Sequence, residues 1–224
     1  CTKNKNEKGI GKNNHNLGLV YAKHGKLEKA QEYYTLSLNI AIEIKDTLQV
    51  IASNLSLGNT FIKQGNYEQA LHFYNSSLVI IEQDSCCYEE KARIYNNLGV
   101  LFSEQGKYNK SLEYYQKASL IYSQLNNQFE LGKTYNNMGN IYWYSDNLEK
   151  AKDFYLKSLA IRKEQKDLSG EAYVLNNLGM LLGSGGELEL ALTYFEKSLA
   201  LFESQQNRTG SLLSTYNLGE VYMA

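Results

Sequence analysis

The chain has 224 residues, of which 43% are apolar and 21% charged, and its formal net charge is −1. These proportions are typical of a folded protein and exclude a disordered one. The balanced charge argues against a nucleic-acid binder, which carries a basic excess. A membrane-spanning helix is not predicted either, because the sequence has no apolar run of about 18 residues.

The first residues, 1–6, are predicted to be a polar segment that precedes the folded part of the chain. The cysteines are Cys1, Cys86 and Cys87, a set that forms neither a disulfide framework nor a zinc site. This usage indicates a reducing, cytoplasmic setting. The alternative is a lipid anchor, because a processed bacterial lipoprotein begins with Cys and residues 2–8 would make a polar tether.

A Leu-Gly or Met-Gly pair recurs along the rest of the chain. Its glycines are Gly18, Gly58, Gly99, Gly139, Gly179 and Gly219, spaced by 40, 41, 40, 40 and 40 residues. We call these the repeat glycines and number other positions from them. The predicted repeats are 11–50, 51–91, 92–131, 132–171 and 172–211, with a partial repeat at 212–224, and together they form one array over 7–224.

Each repeat is predicted to be a helix, a tight turn and an antiparallel helix. An aromatic residue or Leu lies at position +3, Gly or Asp at +7, Ala or Ser at +12, and Ser or Ala at +19. The aromatic residues at +16 are Tyr34, Tyr74, Tyr115, Tyr155 and Phe195. The repeat glycine permits close approach of a neighbouring helix, the residue at +7 suits a left-handed turn, and the +16 ring fills the space between repeats. No proline interrupts these helices.

This pattern resembles the tetratricopeptide repeat family, and the resemblance covers essentially the whole chain. It implies an all-α fold, an α-solenoid of about eleven helices wound as a right-handed superhelix. The 40-residue period exceeds the family's usual 34 or so, and the family's proline after the second helix is missing. Both departures fit longer helices that run on into the next turn. The period resembles that of Pins-type adaptors, kinesin light chains and bacterial peptide-sensing regulators.

The sixth repeat begins at Tyr216 and stops before its second helix. Stacked repeats bury their apolar faces against one another, and solenoids usually end in a polar cap. We therefore expect this chain to be a piece of a longer protein.

A row of asparagines marks the candidate site, on the first helices that line the concave face of such arrays. At position −2 stand Asn16, Asn97, Asn137, Asn177 and Asn217, while Ser56 interrupts the row. An amide offers both a donor and an acceptor, as a peptide backbone does. The row is similar to the asparagine ladder of O-GlcNAc transferase and to the groove of Pins-type adaptors. The alternative is that these amides bond neighbouring helices and fix the packing between repeats.

Further candidates follow from helical spacing on the same face. They are Asn59, Asn140, Trp143, Arg93 and Lys133. The cations could pair with acidic groups of a ligand or could belong to an ordinary solvated surface. Trp143 could anchor a ligand side chain or could cover the interface between repeats.

The sequence contains no catalytic or metal-binding pattern. The three histidines, His15, His24 and His72, are dispersed, and no nucleophile elbow, kinase signature or dinucleotide fingerprint occurs. We therefore expect no enzyme, no cofactor and no metal, but a scaffold that binds a protein or peptide segment. The alternative is the sensory or docking region of a larger signalling protein, such as a kinase, cyclase or transcription regulator, whose effector domain lies outside this chain.

Overall fold

The computed structural model describes residues 2–84 and 87–223, so the expectations for Cys1 and Cys86 lie outside the described residues. Over those ranges the chain is helical, with turns between the helices and no strand. The helices are α1 (Thr2–Lys23), α2 (Leu27–Glu43), α3 (Thr47–Lys63), α4 (Tyr67–Asp84), α5 (Tyr88–Glu104), α6 (Tyr108–Gln124), α7 (Gln128–Tyr144), α8 (Leu148–Glu164), α9 (Leu168–Ser184), α10 (Leu188–Ser204) and α11 (Arg208–Met223). The predicted all-α hairpin fold is confirmed, and α1 already begins within the segment predicted to precede it.

The 40-residue period is made of two 17-residue helices and two three-residue turns. A helix of that length rises about 25 Å. The extra residue of the 41-residue spacing accompanies an 18-residue α4. The helices are long, as the 40-residue period predicts, but they do not continue into the next turn as expected. The second helices end at left-handed non-glycine residues, and these are Lys45, Asn126, Lys166 and Gln206, with φ between 53° and 57°.

The turn within each hairpin also has a left-handed residue. Gly25, Gly65, Gly106 and Gly186 have φ between 68° and 83°, and Asp146 takes the same conformation with φ 59°. Side-chain caps then restart several of the helices. Asp46, Asn127 and Asp167 each accept a hydrogen bond from the backbone N–H three residues on. Such caps satisfy a backbone donor that the helix itself leaves unpaired.

The described helices belong to two compact units, Cys1–Gln105 and Gly106–Ala224. In the first unit, the hairpins α1–α2 and α3–α4 pack in sequence, and the first helices α1, α3 and α5 are neighbours. In the second unit, α6 precedes the hairpins α7–α8 and α9–α10, and α7, α9 and α11 are neighbours. The Asn positions therefore lie on adjacent first helices within each unit, a surface that we call the first-helix face.

Contact between the repeat glycine and the +16 ring holds together the hairpins α1–α2, α3–α4, α7–α8 and α9–α10. A Cβ atom built on Gly18 would lie 2.5 Å from the Tyr34 ring, and one on Gly139 would lie 2.5 Å from the Tyr155 ring. These rings are at most 2% exposed. The glycine thus serves close packing of a ring on bare backbone, as predicted from its spacing.

A second aromatic contact, which the sequence reasoning did not predict, joins the two helices of several hairpins. The +3 ring stacks on the ring at +15: Tyr21 on Tyr33, Phe61 on Phe73, and Tyr142 on Phe154. The centroids are 5.2, 5.6 and 5.3 Å apart, and the rings are within 15° of parallel. Stacked pairs of this kind add to the stabilisation from burial alone.

Gly139→Ala should destabilise the protein by about 1–3 kcal/mol, because the added methyl group would overlap the buried Tyr155 ring. Gly219→Ala is the matched control: a Cβ atom there meets nothing within 4 Å, and alanine in a helix gains up to about 1 kcal/mol over glycine. Urea denaturation of both variants would measure the difference. Equal stability of the two variants would contradict the role assigned to the ring contact.

Candidate functional site

The structure places the predicted site residues on the first-helix faces of both units. Asn16, Asn59 and Arg93 are exposed, and Asn97 is half-buried, in the first unit. In the second unit, Lys133 is exposed, while Asn137, Asn140, Trp143 and Asn177 are half-buried and Asn217 is only 9% exposed. The face is therefore a mixture of open amides and amides already engaged by the protein.

In the second unit, three asparagines and a tyrosine form a hydrogen-bonded cluster. The Tyr155 hydroxyl donates to Asn140 Oδ1 at 2.7 Å. Asn177 Nδ2 donates to Asn136 Oδ1 at 2.9 Å and to Asn140 Oδ1 at 3.4 Å. Burial raises the pKa of Tyr155 well above its usual value, and the nearby Tyr144 adds to the rise. The Tyr155 hydroxyl is therefore a neutral donor at any physiological pH.

Asn217 has a structural role in this structure. Its Nδ2 donates to Asn176 Oδ1 at 2.9 Å, and Asn176 is 1% exposed. This bond joins α11 to α9 inside the packing layer. Of the two uses considered for the Asn row, this bond fits the packing between repeats, and ligand contact at Asn217 stays a prediction.

In the first unit, the same type of cluster opens onto a cavity of about 770 Å³. The Tyr74 hydroxyl donates to Asn59 Oδ1 at 2.6 Å. Burial raises the pKa of Tyr74 well above its usual value, and a hydrogen bond from the Asn97 amide partly opposes the rise. Asn59, Asn97, Ile62 and Val100 line the cavity. The cavity therefore combines asparagine amides with aliphatic side chains, and Gln64 adds a further amide to its lining.

Two charged side chains, Lys63 and Glu104, also line this cavity. Burial raises the pKa of Tyr34, and a hydrogen bond between its hydroxyl and Ser56, the residue that interrupts the Asn row, partly opposes the rise. In the first unit, the residue at position −2 therefore hydrogen-bonds the +16 tyrosine of the preceding repeat. Asn97 does so through its amide and Ser56 through its hydroxyl.

Lys133 and Trp143 have partners within the chain. Lys133 pairs with Glu130 at 3.0 Å and lies 4.5 Å above the Phe129 ring centroid. Trp143 packs against the buried cluster that contains Tyr155 and Leu175. This contact fits the covering of the repeat interface, and the anchoring of a ligand side chain by the half-buried Trp143 stays a prediction.

A buried ion pair in the second unit was missed from the sequence. Arg162, 4% exposed, bonds Asp167 and lies 5.0 Å from the Phe129 ring centroid. The residues at the same +23 position of the other repeats are the buried Ala41, Ile81, Tyr122 and Phe202. A Cβ atom on Gly170 would lie 2.6 Å from Arg162 Cδ. Aligning position +23 would have identified this single charged residue in an apolar column.

The ion pair borders a cavity of about 350 Å³, which Asn136, Asn137, Lys133 and Tyr173 also line. Arg162 Nε is buried without a hydrogen-bond partner among the described residues. The guanidinium is therefore held by one carboxylate and one aromatic ring, and Asp167 both neutralises it and caps α9.

Asp167→Ala should cost about 3–5 kcal/mol, because it leaves Arg162 as a buried, unpaired charge and also removes the cap. Asn207→Ala is the matched control: Asn207 caps the next first helix through Gly210, and no ion pair joins it in the described part of the chain, so the loss should be about 1 kcal/mol. Chemical denaturation of both variants measures these costs. Equal losses would show that the ion pair does not stabilise the fold.

His15, on α1, is a histidine whose ring packs beside a buried tyrosine. Its ring lies 5.3 Å from the Tyr34 ring, and within the described ranges Nδ1 is buried without a hydrogen-bond partner. Burial lowers the pKa of His15 below its usual value, and the positive charge of Arg93 lowers it further. The folded chain therefore holds this imidazole in its neutral form.

This lowered pKa predicts a loss of stability in mild acid. Below the ordinary histidine pKa of about 6.5, the unfolded chain binds the proton more readily than the folded chain, so the free energy of unfolding should fall as the pH drops from about 7 to 5. His15→Leu, which places there the residue found at the same position of the second repeat, Leu55, should flatten this dependence. Denaturation curves at several pH values provide the measurement, and identical slopes for both proteins would refute it.

Two classes of site are not found in the described part of the chain. No group of three His, Cys, Asp or Glu side chains could hold a metal ion there. None of the described helices is both long and apolar enough to cross a membrane.

Comparison with solved structures finds the same architecture in several proteins. BtubC (BKLC) of P. vanneervenii is 23% identical, with a TM-score of 0.78 over 88% of this chain and 83% of that one. The tetratricopeptide-like repeats of a kinesin light chain of Podosopora anserina are 13% identical, with a TM-score of 0.69 over 90% and 98%. A Rap protein complexed with Competence and Sporulation Factor is 16% identical, with a TM-score of 0.69 over 99% and 64%.

Comparison with curated protein sequences finds no match. One family model described as tetratricopeptide repeat matches residues 10–83 and 90–164, and a second model with the same description matches residues 172–204. These matches cover most of the chain and agree with the helix–turn–helix repeats described above. The chain belongs to the tetratricopeptide repeat family.

Proposed function

We propose that this chain is a protein-interaction scaffold that holds an extended peptide segment of a partner protein on its first-helix faces. The observation that carries the proposal is the cavity of about 770 Å³ in the first unit, which joins Asn59 and Asn97 to Ile62 and Val100. Amides match a peptide backbone, and the aliphatic pair offers a place for a ligand side chain.

The charges at this cavity suit a ligand segment with polar or charged flanks. Lys63 and Glu104 have opposite signs and both line the cavity, so an acidic ligand group would pair with Lys63 and a basic group with Glu104. In the second unit, an acidic group would have to compete with Glu130 for Lys133. The first unit is therefore the better candidate for charge pairing.

The solved structures support an interaction role by analogy. A Rap protein of this fold was solved in complex with Competence and Sporulation Factor, so an array of this kind accommodates another molecule. This chain covers 64% of that Rap protein. The second candidate function, a docking region of a larger signalling protein, is compatible with the peptide-binding proposal.

The compartment proposed for this scaffold is the cytoplasm. The cysteines Cys1, Cys86 and Cys87 do not make a disulfide framework, and such cysteine usage suits a reducing environment. Fractionation of cells producing the native protein would test this, and a secreted or membrane-bound pool would contradict it.

A peptide display library panned on the purified chain tests the binding proposal. Asn97→Ala/Asn137→Ala/Asn177→Ala should weaken the selected peptides at least about tenfold, because each hydrogen bond contributes about 0.5–1.5 kcal/mol. Asn39→Ala/Asn75→Ala/Asn109→Ala is the matched control, since all three are exposed asparagines on second helices. Circular dichroism would confirm that both variants remain helical.

The results of this experiment distinguish peptide binding on the first-helix face from peptide binding elsewhere and from no peptide binding. Weakening by the first-helix variant alone supports peptide binding on this face. Equal effects of the two variants would move the binding site elsewhere. If no library peptide binds the unmodified chain, extended-peptide binding is refuted, and the docking alternative then requires a folded partner.

A further inference from the structure

Helix α11 exposes large apolar side chains on the side opposite its buried residues. The buried residues of this helix are Gly210, Ser214 and Asn217. Leu212 is 71% exposed, Tyr216 65% and Met223 79%, and helical geometry places all three across the helix from the buried side. Large apolar side chains that are grouped and exposed in this way mark an interaction surface, unlike apolar residues scattered singly.

These side chains form a row with helical spacing. Leu212, Tyr216, Gly219 and Met223 are separated by four, three and four residues, which is the spacing of the contact positions in paired helices. We call these four residues the α11 seam. The charged residues of α11, Arg208 and Glu220, are not part of it. The seam is therefore an uncharged stripe suited to packing against another helix.

The glycine of the seam is uncovered. A Cβ atom built on Gly58, Gly139 or Gly179 would lie between 2.4 and 2.7 Å from the aromatic ring that covers that glycine. A Cβ atom built on Gly219 would meet nothing within 4 Å among the described residues. In α11, the repeat glycine is thus open to a ring from outside.

Tyr216 provides a ring of the kind that this glycine can accept. It stands at position −3, and the residues at this position of the other repeats are His15, Leu55, Asn96, Asn136 and Asn176. The tyrosine at −3 is therefore a feature of α11 alone. Because Tyr216 and Gly219 are equally far from the midpoint of the seam, two antiparallel α11 helices would place the Tyr216 ring of each on Gly219 of the other. Leu212 would likewise meet Met223.

We propose that this chain associates with a second copy of itself by antiparallel pairing of the two α11 seams. A different helix would have to supply both a ring for Gly219 and a small residue for Tyr216, whereas a second copy supplies both in one two-fold arrangement. The pairing places Glu220 opposite Thr215, so that like charges do not meet. The inference is independent of the proposed peptide binding, whose cavity lies in the first unit.

The size of the seam predicts a weak association. Its three large side chains would bury roughly 400 Å² per copy, at up to about 200 Å² for each when fully exposed. A standard stable interface buries about 800 Å² per partner. We therefore expect the copies to be half-associated at a concentration on the order of 100 μM. A pair of scaffolds would then hold a ligand with two binding segments more tightly than one scaffold does.

Sedimentation equilibrium of the whole chain, up to about 1 mM, tests this association. The mean mass should rise from 25.5 kDa towards twice that value. Gly219→Leu should weaken association at least about tenfold, because the side chain occupies the place of the incoming ring. If the seam were merely sticky, the added apolar side chain would strengthen association instead.

Gly9→Leu is the matched control. It adds the same side chain at another helical glycine where a Cβ atom meets nothing within 4 Å among the described residues, but it lies on α1, outside the seam. This variant should associate as the unmodified chain does. Circular dichroism would confirm that both variants remain helical.

A pair of charged variants tests the antiparallel register. Leu212→Lys and Met223→Glu should each weaken self-association at least about tenfold, because each brings a charge into an apolar contact. An equimolar mixture of the two variants should associate more tightly than either alone, since the lysine of one copy would face the carboxylate of the other. Parallel helices would hold these two charges a whole seam apart, and the mixture would show no recovery.

Three results would overturn the proposal. They are a chain that stays monomeric at about 1 mM, a Gly219→Leu variant that associates as tightly as the unmodified chain, and a mixture of charged variants that shows no recovery. A synthetic peptide of residues 188–204, the sequence of α10, tests a different occupant. Binding of this peptide to a chain that does not self-associate would assign the seam to a second helix of the hairpin type and refute the pairing of two copies.

Discussion

The contact between an aromatic ring and a bare glycine is the constraint on which the rest of this structure depends. The +16 ring lies where a Cβ atom on the repeat glycine would have to be, so the two helices of a hairpin can approach only if that position has no side chain. Since the ring is almost fully buried, the contact also sets where the next first helix packs. The hydroxyl of the same tyrosine then reaches the first-helix face, so that the packing layer and the candidate site share one residue.

The regular length of the helices follows from how the turns are made. Each 17-residue helix ends at a left-handed residue, and a short polar cap often starts the next helix. Non-glycine residues in this conformation cost some energy, which a satisfied set of end carbonyls offsets. The result is a repeat in which position +1 of one first helix and position −2 of the next return to the same relative place.

Much of the fold could be predicted from the sequence, because the features that determine it recur every 40 residues. Gly25 and Asp146 could be assigned to the same turn by position alone, and Tyr155 could be assigned to the core. The turns between successive hairpins could not be assigned from the sequence, because their left-handed residues, Lys45, Asn126 and Lys166, are not of one residue type that favours this conformation. The candidate face was predicted, but hydrogen bonding between amides depends on atomic distances that spacing cannot provide. Asn217 and Asn177 therefore looked equivalent, although Asn217 is buried against Asn176 and Asn177 is only half-buried beside Asn136 and Asn140.

Arg162 shows a different limit of prediction from sequence. The residue that breaks the pattern can be seen there, but the contacts that make it possible cannot. Its neighbours Gly132 and Gly170 leave the space that a guanidinium needs, and Asp167 supplies the countercharge. None of these three residues is unusual by itself, and only the apolar residues at position +23 of the other repeats make the arginine stand out. A local break in a repeating pattern is thus visible in the sequence, whereas the partners that permit it come from α7 and from the start of α9, on either side of α8 in the chain.

The cavity lined by Asn59 and Asn97 has a mechanical consequence. Asn59 belongs to α3 and Asn97 to α5, so a bend that separates these two helices also separates the two amides. A ligand that bonded both amides, as proposed above, would resist such a bend, and the first unit would be stiffer when occupied than when empty. An array built in this way would report occupancy as a change in elasticity, and a load that flexes a unit would release its ligand.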